Sequence, residues 1–109
     1  MKTNPFLEYI LYDVLSDMGA VTFLPMMGGY VLYFEGKVFA LVSGEEFYLK
    51  GNKELASWYE SRGGKLFTYT KNNKEAYLYY FSVPVSMYED RDALTEWVDI
   101  SLVAAEKKK

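Results

Sequence analysis

Apolar residues at the start of the chain recur with the period of an α-helix. Asn4 can cap such a helix, Pro5 suits its first turn, and Gly19 is a residue that favours a helix end. The sequence therefore predicts a helix over residues 4–18, whose apolar face is formed by Phe6, Ile10, Leu11, Val14, Leu15 and Met18.

After Gly19 the pattern changes to short apolar runs separated by turn residues. Four strands are predicted in this part of the chain: Val21–Met27, Tyr30–Phe34, Val38–Leu41 and Phe47–Lys50. Pro25 suggests that the first of them lies at a sheet edge. Glu35 and Gly36 form a two-residue connection, and such short turns join only antiparallel strands. This region is therefore predicted to be an antiparallel meander.

A short helix and a second hairpin are predicted next. Asn52 is suited to cap the helix, and Gly63-Gly64 ends it. Strands then follow over Lys65–Thr70 and Glu75–Phe81. The connection at residues 71–74 contains two asparagines, which tolerate the positive φ angles of a tight turn.

The last part of the chain predicts a third helix with two candidate starts. Ser86–Glu89 fits a capping box, and Asp90 or Asp92 offers a later cap. The apolar stripe of this helix is formed by Leu94, Trp97, Val98, Leu102 and Ala105.

These elements predict an α+β fold of two layers. One antiparallel sheet of five to six strands is expected, with three helices packed on it in the order helix, three or four strands, helix, two strands, helix. Because no linker, repeat or low-complexity segment interrupts residues 1–109, we expect a single domain.

Several predicted strands are apolar at every position instead of alternating, among them Tyr30–Phe34 and residues 76–81. Such strands are typical of a sheet that is covered on both faces. Because three helices of these lengths do not suffice for both, we expect a protein partner, most simply a second copy, on an aromatic sheet face. The alternative is that the tyrosines face water with their hydroxyl groups outward.

Composition excludes several kinds of chemistry. The chain has no cysteine and no histidine, which removes disulfides, thiol catalysis and every catalytic triad that relies on imidazole. The remaining acids do not converge on one site by their spacing, so we expect no metal, no cofactor and no catalytic residue.

The charge of the chain argues against nucleic-acid binding. Twelve basic residues stand against fifteen acidic ones, and without Lys107–Lys109 the balance is nine against fifteen. DNA-binding proteins normally carry a basic stripe, so direct binding to nucleic acid is not expected. No signal peptide or membrane-spanning run is recognisable, and a cytoplasmic protein is expected.

The most distinctive local sequence is Met26-Met27-Gly28-Gly29-Tyr30. It lacks the spacing of a phosphate-binding loop, and no helix is predicted to follow it. We interpret the glycines as a bulge or sharp bend between two strands, with the methionines filling the core.

Together with other pieces of the chain, this sequence resembles the N-terminal domain of the TfoX (Sxy) competence regulators. The pieces that carry the resemblance are Met27-Gly28-Gly29-Tyr30, Leu32-Tyr33, Phe39-Ala40-Leu41, Tyr48-Leu49-Lys50, Phe67-Thr68-Tyr69, Tyr79-Tyr80, Val83-Pro84 and Glu96-Trp97. The resemblance covers essentially the whole chain and only the first half of full-length regulators, so we expect a stand-alone version without their C-terminal domain. It implies a fold like that of type III secretion chaperones.

The resemblance also implies a regulatory, non-enzymatic domain that binds proteins and is linked to the transcriptional control of DNA uptake. The candidate interaction residues are Met27, Gly28, Gly29, Tyr30, Tyr33, Tyr79 and Tyr80. A small DNA-binding regulator and an enzyme that works without histidine or cysteine are the alternatives.

Overall fold

The computed structural model of the protein describes residues 5–26 and 28–106. Within these residues the α-helices are α1 (Pro5–Tyr9), α2 (Ala56–Glu60) and α3 (Arg91–Glu106). The strands are β1 (Val21–Met26), β2 (Gly29–Phe34), β3 (Lys37–Ser43), β4 (Glu46–Lys50), β5 (Leu66–Lys71) and β6 (Lys74–Ser82). The structure confirms the predicted α+β fold, with an antiparallel sheet of six strands.

The six strands form one sheet in the order β1-β2-β3-β4-β6-β5. Every neighbouring pair is antiparallel, and the first four strands are the predicted meander. Pro25 lies in β1, an edge strand, the place in a sheet where a residue without an N–H group is tolerated. The second hairpin joins the meander through β6, whose Tyr80 pairs with Lys50 of β4.

Two tight turns close the main hairpins with positive φ angles. Glu35 (φ 53°) and Gly36 (φ 81°) connect β2 and β3 as predicted. Asn72 (φ 54°) and Asn73 (φ 65°) connect β5 and β6. Two successive residues in the left-handed region match the right-handed twist of the flanking strands. The second connection is shorter than the predicted span of residues 71–74.

The first helical segment differs from the prediction. Instead of one helix over residues 4–18, α1 is followed by a π-helical turn over Ile10–Val14 and a 3₁₀ turn over Ser16–Met18. Asn4, the predicted cap, lies outside the described residues.

The change of pitch keeps apolar side chains on the core. The Leu15 N–H donates to the Ile10 carbonyl at 2.9 Å, a bond that spans five residues instead of four. Ile10, Leu11, Val14 and Leu15 are all buried. The wider turn lets these four side chains face the sheet together.

The helix α2 is held over β6 by aromatic contacts. The Leu55 N–H donates to the Asn52 side chain at 2.9 Å, but α2 begins only at Ala56, so Asn52 closes the preceding turn and the predicted cap of the helix is wrong. Tyr59 is fully buried and stacks on Phe81, with 5.0 Å between ring centroids and 15° between ring planes. Its ring also meets Trp97 of α3 edge-on at 5.0 Å.

Of the two candidate starts of α3, the structure has the later one. The Asp90 side chain accepts a hydrogen bond from the Ala93 N–H at 3.2 Å, whereas Ser86 lies in a 3₁₀ turn. Farther along the helix, the buried Ser101 hydroxyl donates to the Phe39 carbonyl at 2.6 Å. Phe39 is the extra residue of a bulge in β3, where the register with β2 shifts.

The main core lies between the helices and one face of the sheet, called here the helix face. Its largest fully buried side chains are Tyr59, Phe39, Phe47 and Phe81. Within the described residues, no helix has the length and apolar character needed to cross a membrane.

Candidate functional site

A second apolar cluster lies on the sheet face opposite the helix face. Neighbouring residues of a strand point to opposite sides. Leu32 belongs to the main core, and Val31 belongs to the second cluster. All members of the second cluster come from strands: Met26, Val31, Tyr33, Val38, Leu41, Tyr48, Phe67, Tyr69, Leu78 and Tyr80. This set is called the aromatic face below, and each of the six strands contributes to it.

Part of the aromatic face remains accessible. Four of its members are buried, namely Val31, Leu41, Phe67 and Tyr80, and the other six are only partly buried. Leu24 pairs with Val31 across β1 and β2, and its side chain is 55% exposed. The sheet therefore presents an apolar surface with buried residues and a partly buried border, the arrangement expected of a contact surface.

Ring–ring contacts fix the aromatic side chains at the β5 end of this face. Tyr48 meets Phe67 edge-on, with ring centroids 5.0 Å apart and an interplanar angle of 76°. Tyr69 lies against Phe67 at 5.9 Å with an angle of 24°. These contacts restrict the rotamers of the three rings, which limits the side-chain entropy lost on association.

Basic side chains accompany the aromatic ones. Lys50 lies over the ring of Tyr80, with its Nζ 5.3 Å from the ring centroid. A hollow of about 590 Å³ is lined by Met26, Val31, Tyr33, Gly36, Lys37, Val38, Lys50, Tyr80 and Ala105. The surface is therefore amphipathic, with cations beside tyrosine rings.

Burial keeps the hydroxyl groups of Tyr80 and Tyr48 protonated at neutral pH. Burial raises the pKa of Tyr80, and the neighbouring Tyr33 raises it further. Burial also raises the pKa of Tyr48, with a smaller contribution from the negative charge of Glu46. These hydroxyls can therefore donate hydrogen bonds to a partner, but they add no negative charge.

The glycine motif forms a turn and does not reach into a site. Gly28 has a φ angle of 79° and open space around it, and Gly29 is the first residue of β2. Met26 packs against the aromatic face rather than the main core, and Met27 lies outside the described residues. The predicted bend is present, and Met26 packs against the second apolar cluster, partly buried.

The four candidate tyrosines divide between the two sheet faces. Tyr33 and Tyr80 belong to the aromatic face. Tyr30 packs on the main core, edge-on to Phe23 at 5.7 Å. Tyr79 also lies on the helix face, with its hydroxyl 3.5 Å from that of Tyr77. The candidate residues therefore do not form one site.

Sequence reasoning missed Tyr48, Phe67 and Tyr69, which complete the aromatic face. The register of the strands is the feature of the sequence that could have identified them. The tight turn at Asn72 and Asn73 fixes the pairing of β5 with β6, and alternation then assigns Phe67 and Tyr69 to one side.

A second hollow, of about 310 Å³, lies between the first helical segment and α3. Its lining is mostly apolar, and at its rim Arg91 forms an ion pair with Asp17 at 2.6 Å. In the described part of the chain, no three or more acidic side chains are grouped so that they could hold a metal ion.

Comparison with known proteins gives two findings. The sequence model of the TfoX N-terminal domain family matches residues 13–105. The chain is also 29% identical over 101 residues to Protein Sxy of Escherichia coli (strain K12). That alignment covers 93% of this chain and 48% of Protein Sxy, so the chain spans about half the length of this curated relative.

Proposed function

Because the chain belongs to the TfoX N-terminal domain family, we propose that it is a non-enzymatic regulatory domain that binds another protein through the aromatic face. The regulated process is the transcriptional control of competence, the uptake of DNA, and the protein acts in the cytoplasm.

The aromatic face is the observation that carries this proposal. It is a rigid surface of ten residues with tyrosine, phenylalanine and methionine side chains. These residue types are enriched at protein–protein contacts because they bury a large area at a small entropic cost. A single soluble domain rarely exposes an apolar surface of this kind without a partner for it.

Catalysis receives less support from the same surface. The aromatic face offers tyrosine hydroxyls and lysine amines but no converging carboxylates, and burial raises the pKa of Tyr80 away from neutral pH. A general acid or base works best with a pKa near the working pH. A binding role therefore fits these residues better than proton transfer.

The proposal is tested by exchanging residues of the aromatic face in the native host. Tyr33 and Tyr69 are replaced by serine on the chromosome, and transcripts of the DNA-uptake genes are measured under inducing conditions. The matched control is Tyr12→Ser, because Tyr12 is 70% exposed and lies outside the sheet. We expect a loss of induction in the double variant and normal induction in the control, at equal protein abundance. Normal induction in a folded double variant would contradict the proposal.

A further inference from the structure

We propose that the partner of the aromatic face is an acidic polypeptide segment with apolar side chains, rather than a second copy of this chain. This inference rests on the proposed function and adds the chemistry of the partner. It is carried by the distribution of charge around the aromatic face.

The first observation is a pair of lysines that face each other at the end of the β5–β6 hairpin. Lys71 and Lys74 are directly opposite in the register, and both are exposed. Strand alternation places Lys71 on the same side as Phe67 and Tyr69. Like charges in this position repel each other. Within the described residues, no carboxylate forms an ion pair with either lysine, so an anionic partner would relieve the repulsion.

The second observation is that further lysines lie beside the aromatic face. Lys50 ends β4 next to Tyr80, and Lys37 begins β3. Because β3 and β4 are antiparallel, the start of one meets the end of the other. Four of the eight lysine and arginine side chains in the described residues therefore lie on or beside the aromatic face, although the chain has a net charge of −3: Lys37, Lys50, Lys71 and Lys74.

This charge distribution argues against a second copy as the partner. Glu46, at the opposite end of β4, is the acid whose charge reaches Tyr48 on this face. Two copies packed face to face by a twofold axis would each bring the same excess of lysines. The contact would thus bring together two surfaces with the same excess of positive charge, which opposes association. An acidic segment would place negative charges opposite these lysines.

The arrangement of the rings argues against a single-stranded nucleic acid. Bases bind to aromatic rings whose flat faces are free. Phe67 is buried between Tyr48 and Tyr69, and the ring of Tyr80 is buried beneath Lys50. Arginine, the usual partner of bases and phosphates, does not occur on the strands of this face in the described residues. An amphipathic polypeptide, which needs apolar contact area and charge, fits the surface better.

The test is a selection from a random 16-residue peptide library on the immobilised protein. We expect the enriched peptides to carry net negative charge together with aromatic or aliphatic residues. The most enriched peptide is then synthesised, labelled, and titrated by fluorescence anisotropy. The double variant Lys71→Glu/Lys74→Glu should bind it about tenfold more weakly, because two attractions become repulsions. The control Lys53→Glu, an exposed lysine in the turn before α2, should change the affinity by less than about twofold.

Foldedness is checked with Lys71→Gln/Lys74→Gln, which removes the repulsion without adding charge. This variant should melt no lower than the wild type and should still bind the peptide more weakly. Enrichment of neutral or basic peptides, the absence of any enrichment, or equal affinity of the charge-reversal variant would overturn the proposal.

Two further results would also overturn it. One is competition by a thymidine 15-mer at the concentrations that the peptide requires, which would indicate a nucleic-acid site. The other is a dimer in sedimentation experiments that Tyr69→Ser dissociates. If any of these results appears while the serine variants at Tyr33 and Tyr69 still abolish induction, the chemistry of the partner is wrong and the proposed function stands.

Discussion

At the scale of single residues, Gly29 occupies the most confined backbone position of the described glycines. A Cβ atom there would lie 2.0 Å from the Val42 carbonyl oxygen, which belongs to the neighbouring strand backbone and cannot move away alone. The adjacent Gly28 has open space but a φ angle of 79°. The two glycines of the motif thus serve different structural purposes: one permits a left-handed turn and the other permits close approach of two strands.

This difference predicts different costs of substitution. Gly29→Ala should lower the free energy of unfolding by about 3 kcal/mol, because the strands must separate. Gly28→Ala should cost about 1 kcal/mol, from backbone strain alone. Urea unfolding of both variants followed by circular dichroism measures the two values. Equal costs would contradict the close approach at Gly29.

Buried tyrosines predict a loss of stability at alkaline pH. Burial raises the pKa of Tyr59 above its usual value of 10.0 and, with a smaller contribution from Glu46, raises that of Tyr88 to about 12. In the unfolded chain both hydroxyls ionise near pH 10, whereas in the folded protein they remain protonated. The contribution of these two tyrosines to the free energy of unfolding is therefore fully present below about pH 10. It decreases as the pH rises toward their pKa values in the folded protein, by about 1.4 kcal/mol per pH unit for each tyrosine.

The measurement compares the slope of the unfolding free energy between pH 9 and 11 in the wild type and in three variants. Tyr59→Phe and Tyr88→Phe should each flatten the decline seen in the wild type, because the residue that titrates only after unfolding is gone. Tyr12→Phe, at an exposed position, is the control for the removal of a tyrosine hydroxyl outside the core. A steep decline in all three variants would assign the effect to other groups.

At the scale of elements, the turns were easier to predict than the helices. Glu35-Gly36 and Asn72-Asn73 carry residue types that tolerate positive φ, so local chemistry determines both hairpins. The segment at Ile10–Val14 has the apolar spacing of an α-helix, yet it forms a π-helical turn. No local sequence rule predicts the wider turn. It forms because it buries Leu15 on the sheet beside Ile10, Leu11 and Val14.

The start of α3 gives a prediction at this scale. Asp90→Ala removes the acceptor of the Ala93 N–H and should lower the free energy of unfolding by about 1 kcal/mol. Ser86→Ala should have almost no effect, because Ser86 lies in the preceding 3₁₀ turn. Thermal unfolding of the two variants decides between the two starts, and a larger effect at Ser86 would favour the capping box.

At the scale of the whole molecule, the sheet has one face in the core and one that remains partly open. Leu32 and Tyr33 are neighbours in β2, but Leu32 is fully buried on the helix face and Tyr33 lies on the aromatic face. This division explains why the strands show no polar alternation. Both faces are apolar, and the helices are packed against one of them.

Serine substitutions at these two neighbours test the division. Leu32→Ser should lower the free energy of unfolding by about 4 kcal/mol, since it leaves a cavity and buries a hydroxyl. Tyr33→Ser should cost about 1 kcal/mol, because the aromatic face is a surface in the isolated protein. Denaturant unfolding measures both, and a cost at Tyr33 equal to that at Leu32 would show that the aromatic face is core.

The sequence by itself determined the α+β fold, the meander, the hairpin turns and the apolar character of both sheet faces, because periodicity and turn chemistry are local properties. It also singled out Tyr33 and Tyr80. Only the tertiary structure decided that Tyr80 and not Tyr79 lies on the face away from the helices, that Tyr48 and Phe67 complete the aromatic face, and that lysines from separate strands lie beside it. These outcomes depend on register, on the bulge at Phe39 and on the pairing of β6 with β4, which are contacts between residues far apart in the chain.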